Sequence, residues 1–370
     1  MSSSKVYFTN FRCEVFVDSI PQKLARLVKA AGIETLPFEN RFTAIKIHFG
    51  EPGNLAFLRP NYARTIVEII KGKGGKVFLT DCNTLYVGGR KNALDHMESA
   101  YVNGYSPFST DCHIMIADGL KGTDDVEVPV AGEYVKNAKI GRAIMDADNV
   151  ISLNHFKGHE NTGFGGALKN IGMGCGSRAG KMEMHNCGKP SVETDLCIGC
   201  GMCTKICAHD APALTDGKSA IDHIKCVGCG RCIGVCPVDA IVPGPNNPND
   251  ILNCKIAEYA LAVVQGRPNF HINIVTDVSP NCDCHGENDL AIVPNIGMFA
   301  SFDPVALDVA CADAVNKAPV INGSWLDDLE TRDHHDHFIG AHPDTDWHSC
   351  VEHAKKIGLG NTEYELIEVK

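Results

Sequence analysis

The chain has 370 residues, 44% of them hydrophobic and 21% charged, with a formal charge of −11. Those values describe a folded chain of about two domains with ample apolar core, and they exclude bulk disorder. They also exclude non-specific nucleic-acid binding, which needs Lys/Arg stripes facing phosphates; the negative charge suits steering toward a basic patch on a protein partner.

Taken in chain order, short β-branched or aromatic runs alternate with helix-period segments. Strands are expected at 6–8, 42–48, 76–80, 113–117 and 150–153. Helices are expected between them at about 21–31, 62–71, 91–102 and 134–146. This βαβα alternation predicts an α/β fold with a mostly parallel sheet and flanking helices. The pattern stops near Gly163, where a glycine-rich stretch leads into a cysteine repeat. After a proline-rich linker at 243–248 it resumes, with a helix over 251–264, a strand over 269–276 and a helix opened by Asp303-Pro304. The economical division is an α/β domain in two parts, 1–187 and 247–370, with a ferredoxin-like module inserted at 188–246. No apolar run is long enough to span a bilayer, and the first residues carry no signal-peptide core. The expectation is a cytoplasmic protein that binds no membrane, in which 18 cysteines favour metal ligation or redox chemistry over disulfides.

The repeat consists of Cys197-Ile-Gly-Cys200-Gly-Met-Cys203-Thr-Lys-Ile-Cys207 and, 29 residues on, Cys226-Val-Gly-Cys229-Gly-Arg-Cys232-Ile-Gly-Val-Cys236-Pro237. Each half is C-x2-C-x2-C-x3-C, a spacing that wraps a cuboidal [4Fe–4S] cluster, and the glycines let the backbone turn its amides toward sulfur. In two-cluster ferredoxins the fourth cysteine serves the other cluster. That rule groups Cys197, Cys200, Cys203 and Cys236 around one cluster, and Cys226, Cys229, Cys232 and Cys207 around the second. Zinc would use two C-x2-C pairs rather than two complete four-cysteine runs. Ala208 stands where the first run would usually have proline, which removes no ligand.

The surrounding sequence resembles a family of uncharacterised iron–sulfur-centre proteins, domain-of-unknown-function family 362, with a ferredoxin insert. The resemblance is carried by Lys46-Ile-His-Phe-Gly-Glu51, Asn154-His-Phe-Lys-Gly-His159, Thr162-Gly-Phe-Gly-Gly-Ala-Leu-Lys-Asn170, Gly172-Met-Gly-Cys175, Lys181-Met-Glu-Met-His185, Cys282-Asp-Cys-His285 and Ser301-Phe-Asp-Pro-Val-Ala306. It covers most of the chain. It implies a fold and clusters rather than a substrate, because the family has no generally assigned reaction.

A third metal centre, of iron or zinc, is a further candidate. Cys175 and Cys187 precede the module, Cys282 and Cys284 follow it in a polar turn, and His155, His159 and His185 are close in sequence to the first pair; mixed Cys/His ligation suits such ions. Lys157 and Lys169 would be electrostatic partners. Strand ends bearing His48 and Glu51, then Asp81, Asn83 and Thr84, then Asn154 to His159, place polar groups where open α/β sheets bind ligands. The segment 163–169 could open a helix whose amides bind an anion, but it matches neither phosphate-loop pattern, so no nucleotide is expected. His334, His335, His337, His342 and His348 read as a solvated histidine-rich loop.

Three functions remain open. One is an iron–sulfur oxidoreductase whose two clusters pass electrons to or from a site in the α/β domain, where a small molecule is the substrate. The second is a pure ferredoxin-like carrier serving a redox partner protein. The third is a metallocentre assembly or activation factor. Neither the substrate nor the oligomeric state is legible.

Overall fold

A computed structural model describes residues 3–185, 188–244, 247–329 and 335–370. Eight strands form the main sheet: β1 (Ser4–Asn10), β2 (Phe42–Lys46), β3 (Lys76–Asp81), β4 (His113–Ile116), β5 (Asn149–His155), β6 (Asn269–Val275), β7 (Gly297–Ser301) and β8 (Tyr364–Glu368). They are ordered β8-β1-β7-β6-β5-β2-β3-β4. β7 runs antiparallel to β1 and β6, and every other pairing is parallel. The fold is therefore α/β with a mostly parallel sheet and flanking helices, as the alternation predicts.

Burial on both faces explains why β5 reads as an unbroken run. All seven of its residues are buried; Val150 joins one apolar cluster, and Ile151 and Leu153 join the other. Central parallel strands have this character because helices cover both sides. One face is covered by α1 (Ile20–Ala30) and α2 (Pro60–Gly72), which bury Leu24, Leu27, Ile66 and Val67. Ser19 starts α1 through a capping box with Gln22. The other face carries α3 (Ala167–Cys175), α4 (Arg178–His185), α5 (Asn249–Val264) and α6 (Pro304–Asn316), with Asp303 capping α6 through the amides of Val305 and Ala306.

Two local expectations change. The segment expected as a helix over 134–146 is helical only at Arg142–Asp146; Asn137–Gly141 is a strand paired with Asp125–Pro129. Ala138 and Ile140 are buried on alternate positions, a period of two that a short window confuses with a helix. The glycine-rich stretch also contains a hairpin, Lys157–His159 with Gly163–Gly165, before α3 begins.

Between α4 and α5 the chain forms small sheets of its own. Pro190–Val192 pairs with Ile241–Pro243, and Pro212–Thr215 pairs with Lys218–Ile221. Short helices lie within the two cysteine runs, at Met202–Ile206 and Arg231–Val235. The repeat is conformational as well as sequential. Gly199, Gly201 and Asp210 have φ of 69°, 71° and 48°, and Gly228, Gly230 and Asp239 have 72°, 65° and 52°. Left-handed glycines are what permit the tight turn between cysteines.

Candidate functional site

The carboxyl ends of β3, β2, β5 and β6 stand side by side and open into a cavity of about 1460 Å³, counted out to its mouth. Its walls include Lys46, His48, Asp81, Lys157, Lys169 and His185. A buried polar ladder fixes the floor. Lys46 Nζ lies 2.9 Å from Asp81 and 2.6 Å from Asn170 Oδ1, and Asn170 Nδ2 donates to Asn154 Oδ1 at 2.6 Å. Polar groups this deep require such pairing.

The loop after β6 supplies the sulfurs. His285 N donates to Cys282 O at 3.2 Å, closing a turn. Asp283, between the two cysteines, is fully buried and meets Lys157 Nζ at 2.9 Å, His155 Nδ1 at 3.0 Å and His48 Nδ1 at 3.6 Å. Around this anchor the Cys282 and Cys284 sulfurs lie within 4.8 Å of one another, and Cys282 Sγ lies 3.6 Å from Asp283 Oδ1. The loop is braced from outside by Gly158, where a β-carbon would lie 2.1 Å from Pro280 O, and by His342 Nε2 at 2.9 Å from the same carbonyl. Arg90 pairs with Glu51 at 2.6 Å and donates to Cys284 O at 3.2 Å.

Charge decides the state of the two thiols. Burial alone would push Cys282 up, but the neighbouring Cys284 thiol and the charges of Lys169, Lys157 and His159 hold it well below the ordinary thiol value. Cys284 is pushed well above it, by the neighbouring Cys282 sulfur and then by burial. Of the two sulfurs, Cys284 is therefore the one that keeps a proton more strongly. Lys169 Nζ donates to Cys282 Sγ at 3.2 Å. Burial also depresses His48 and His185 to about 3, so both rings are neutral.

The candidate residues separate into groups. Donor atoms of His159, Cys282 and Cys284 lie within 4.8 Å of one another, as do those of Glu160, Cys284 and His285; these are the groups able to hold a soft ion. His185 lines the same cavity with its Nδ1 3.0 Å from Tyr86 Oη. His155 faces acceptors on both nitrogens, Asp283 and Thr276 O, so both are already engaged within the protein and neither is turned to a metal. Cys175 is buried beside Cys82, which donates to its carbonyl at 3.3 Å, and it does not line the cavity. Cys187 and His334 lie outside the described residues. His337, His342 and His348 bond Ala318 O, Pro280 O and Asp346 in turn, and do not converge. The amides opening α3 are also taken: Asp308 accepts from Ala167 N at 2.7 Å and Leu168 N at 2.9 Å, which removes the anion site expected there. Asp283, Glu160, Arg90 and Tyr86 escaped the sequence reading. Only Asp283 had a signal, its place between two cysteines.

The eight repeat cysteines line two separate hollows of nearly equal size. Cys197, Cys200, Cys203 and Cys236 line one of about 320 Å³. Cys207, Cys226, Cys229 and Cys232 line one of about 340 Å³. Backbone amides point at sulfur in both: Ser219 to Cys197 at 3.3 Å, Ala240 to Cys236 at 3.2 Å and Gly228 to Cys226 at 3.4 Å. Among the described residues, no three of these sulfurs lie within 4.8 Å of one another. A tetrahedral zinc, with Zn–S near 2.3 Å, would need them about 3.8 Å apart. The donor set fits a larger, cuboidal occupant.

One loop joins the two regions. Leu85 packs with Met182, Cys203, Cys232 and Ile233, while its neighbour Tyr86 lines the strand-end cavity. Lys91 reaches from the same loop to Asp239 and, at 3.3 Å, to Cys236 O.

A family model described as "Domain of unknown function (DUF362)" matches residues 43–313. No curated protein matches the chain. Among solved structures, a protein from Thermotoga maritima aligns with a TM-score of 0.41 at 12% identity, over 80% of this chain and 58% of its own. The lactate racemase apoprotein from Thermoanaerobacterium thermosaccharolyticum aligns with a TM-score of 0.36 at 11% identity, over 74% of this chain and 51% of its own. The chain thus spans little more than half the length of either. No helix among the described residues is long and apolar enough to cross a membrane.

Proposed function

For this chain, which belongs to the DUF362 family, we propose a role in electron transfer: residues 188–244 hold two [4Fe–4S] clusters and exchange electrons with the strand-end cavity, where a small molecule reacts. When bound, each cluster supplies a one-electron couple whose potential depends on amide-to-sulfur hydrogen bonds and burial. Cys197, Cys200, Cys203 and Cys236 hold one; Cys207, Cys226, Cys229 and Cys232 hold the other. The amides of Ser219, Ala240 and Gly228 stabilise negative charge on the sulfurs.

The observation that carries this reading is the shared loop, with Leu85 against the cluster cysteines and Tyr86 on the cavity wall. Tyr86 Oη meets His185 Nδ1 at 3.0 Å, which ties the loop to the helix ending at the cavity. The cavity's mixture of lysines, histidines and thiols suits a small polar substrate rather than a lipid.

A second reading, a carrier that relays electrons to a partner protein, has support of its own. Ile198, Val227 and Ile224 are exposed beside the cluster cysteines, an apolar rim of the kind protein partners cover.

The test is the content of iron, zinc and acid-labile sulfide in protein purified without oxygen. The expected result is about eight iron and eight sulfide per chain. Far fewer iron atoms, after anaerobic reconstitution, would rule out the proposal.

A further inference from the structure

We propose that Cys282 and Cys284 form a reversible dithiol–disulfide couple, the two-electron relay of the strand-end cavity. The source of its electrons rests on the cluster reading above; the couple itself does not.

The geometry comes first. Two extended residues span about 7 Å, and the Cys282–His285 turn shortens that distance, into the range of about 4.4–6.8 Å that a disulfide bridges. Asp283 is pinned by Lys157 and His155, so the turn is held while the flanking sulfurs lie within 4.8 Å of one another.

The surroundings favour a bare sulfur pair over a metal. A cation at Cys282 would sit beside the Lys169 ammonium, already 3.2 Å from that sulfur, and like charges repel at this range. His159 is a poor ligand as oriented. Its Nδ1 accepts from the amides of Asn161 and Thr162 at 3.0 and 3.3 Å, so Nε2 is the nitrogen left to carry a proton. The ring therefore offers the sulfurs a donor instead of a lone pair.

The step balances. Cys282 as thiolate and Cys284 as thiol form one S–S bond, break one S–H bond and release one proton and two electrons. The proton leaves to solvent at the mouth of the cavity; Glu160, within 4.8 Å of Cys284 Sγ and of a His285 ring nitrogen, stays a carboxylate, because His159 and the hydrogen bond from His285 outweigh its burial and hold it well below the ordinary range. Half-exposed His285, 2.9 Å from Glu160 Oε1, opens the route to solvent. Oxidised iron–sulfur clusters, if held by the cysteines of the two hollows, would supply one-electron acceptors for these two electrons, and the Tyr86–His185 contact would be the protein's bridge toward them. The reverse step takes two electrons and one proton and restores the thiolate–thiol pair. A two-electron couple thereby matches two one-electron centres.

The experiment equilibrates anaerobic full-length protein with dithiothreitol at graded ratios of reduced to oxidised reagent. Iodoacetamide then traps free thiols, and the mass of the peptide carrying both cysteines is measured. The expected result is that both are alkylated or neither, with a tenfold change in reagent ratio moving the populations tenfold. Cys282→Ser leaves Cys284 alkylated at every ratio. In a second arm, protein oxidised with diamide receives electrons from reduced methyl viologen. The wild type regains both thiols, whereas Cys200→Ser combined with Cys229→Ser regains them only with dithiothreitol. Two alkylated cysteines at every ratio overturn the couple, as does stoichiometric zinc that blocks alkylation until a chelator is added. Iron-free protein that still shows the couple overturns the cluster reading alone. Equal viologen recovery in the double variant overturns the electron route.

Discussion

Residues 188–244 and the strand-end cavity both gather cysteines, and they do so by opposite means. In the first, each run of four is set by turns within a few residues, and one turn design is used twice, down to matching left-handed glycines. In the second, Cys282 and Cys284 meet His159 only because β5 and β6 are neighbours in the sheet. Their environments differ accordingly. The module's sulfurs are served by backbone amides. Those of the cavity are served by buried charges: Lys169 at Cys282, and Lys157 at the aspartate between the two cysteines. Local turns bring three cysteines of each hollow together, but it takes the tertiary fold to supply the fourth from the other run and to tune a pair of thiols.

The sharpest way to break this comparison is to remove one sulfur from the module. Cys200→Ser should lower iron by about half, from about eight atoms to about four, and leave the main sheet folded, as iron analysis and circular dichroism would register. Loss of all structure would mean that the two regions are not separable. Asp283→Ala should have the largest effect on the other side. It strands Lys157 as an unpaired buried cation, a loss of about 3–5 kcal/mol in urea unfolding, with module iron retained. Gly158→Ala tests the brace on the same loop. A β-carbon 2.1 Å from Pro280 O forces the turn to move, at a cost of about 1–3 kcal/mol, and should disturb Cys282 reactivity before it disturbs iron content. Lys169→Gln should move the pH midpoint of Cys282 alkylation upward, since the lost ammonium no longer favours the thiolate; an unchanged pH profile would mean that Lys169 does not set its charge.

A further effect is one of pH, small per unit, and it sharpens how the sheet beneath the cavity is held. Burial lowers His271 to about 3, and its ring sits between Ser152 Oγ and Asn269 Oδ1, each at 2.8 Å. The unfolded chain takes up a proton on this histidine near pH 6.5, whereas the folded chain does so only near 3. Unfolding therefore binds a proton inside that window, and stability falls as pH drops from about 6.5 toward 3, by about 1 kcal/mol per unit. His271→Gln should flatten that part of the stability–pH curve, a change that chemical denaturation at several pH values would reveal.

Much of the fold was legible because its signals are local. The βαβα alternation marks parallel strands, Asp303-Pro304 marks the start of α6, and two C-x2-C-x2-C-x3-C runs mark two four-sulfur hollows. What was misread also has a local cause: the segment 134–146 carries a helix-like pattern over a window in which Asn137–Gly141 in fact pairs with Asp125–Pro129.

By itself, then, the sequence determined the elements, the direction of most strands and the grouping of cysteines within each run, because those depend on periodicities and turn preferences of a few residues. Only the tertiary structure decided which distant groups share a site. It turned His155 toward Asp283, buried Cys175 beside Cys82, filled the α3 amides with Asp308, and brought Lys169 to Cys282. Those outcomes depend on strand order, and a single buried charge drawn in by that order is enough to change what a neighbouring side chain can do.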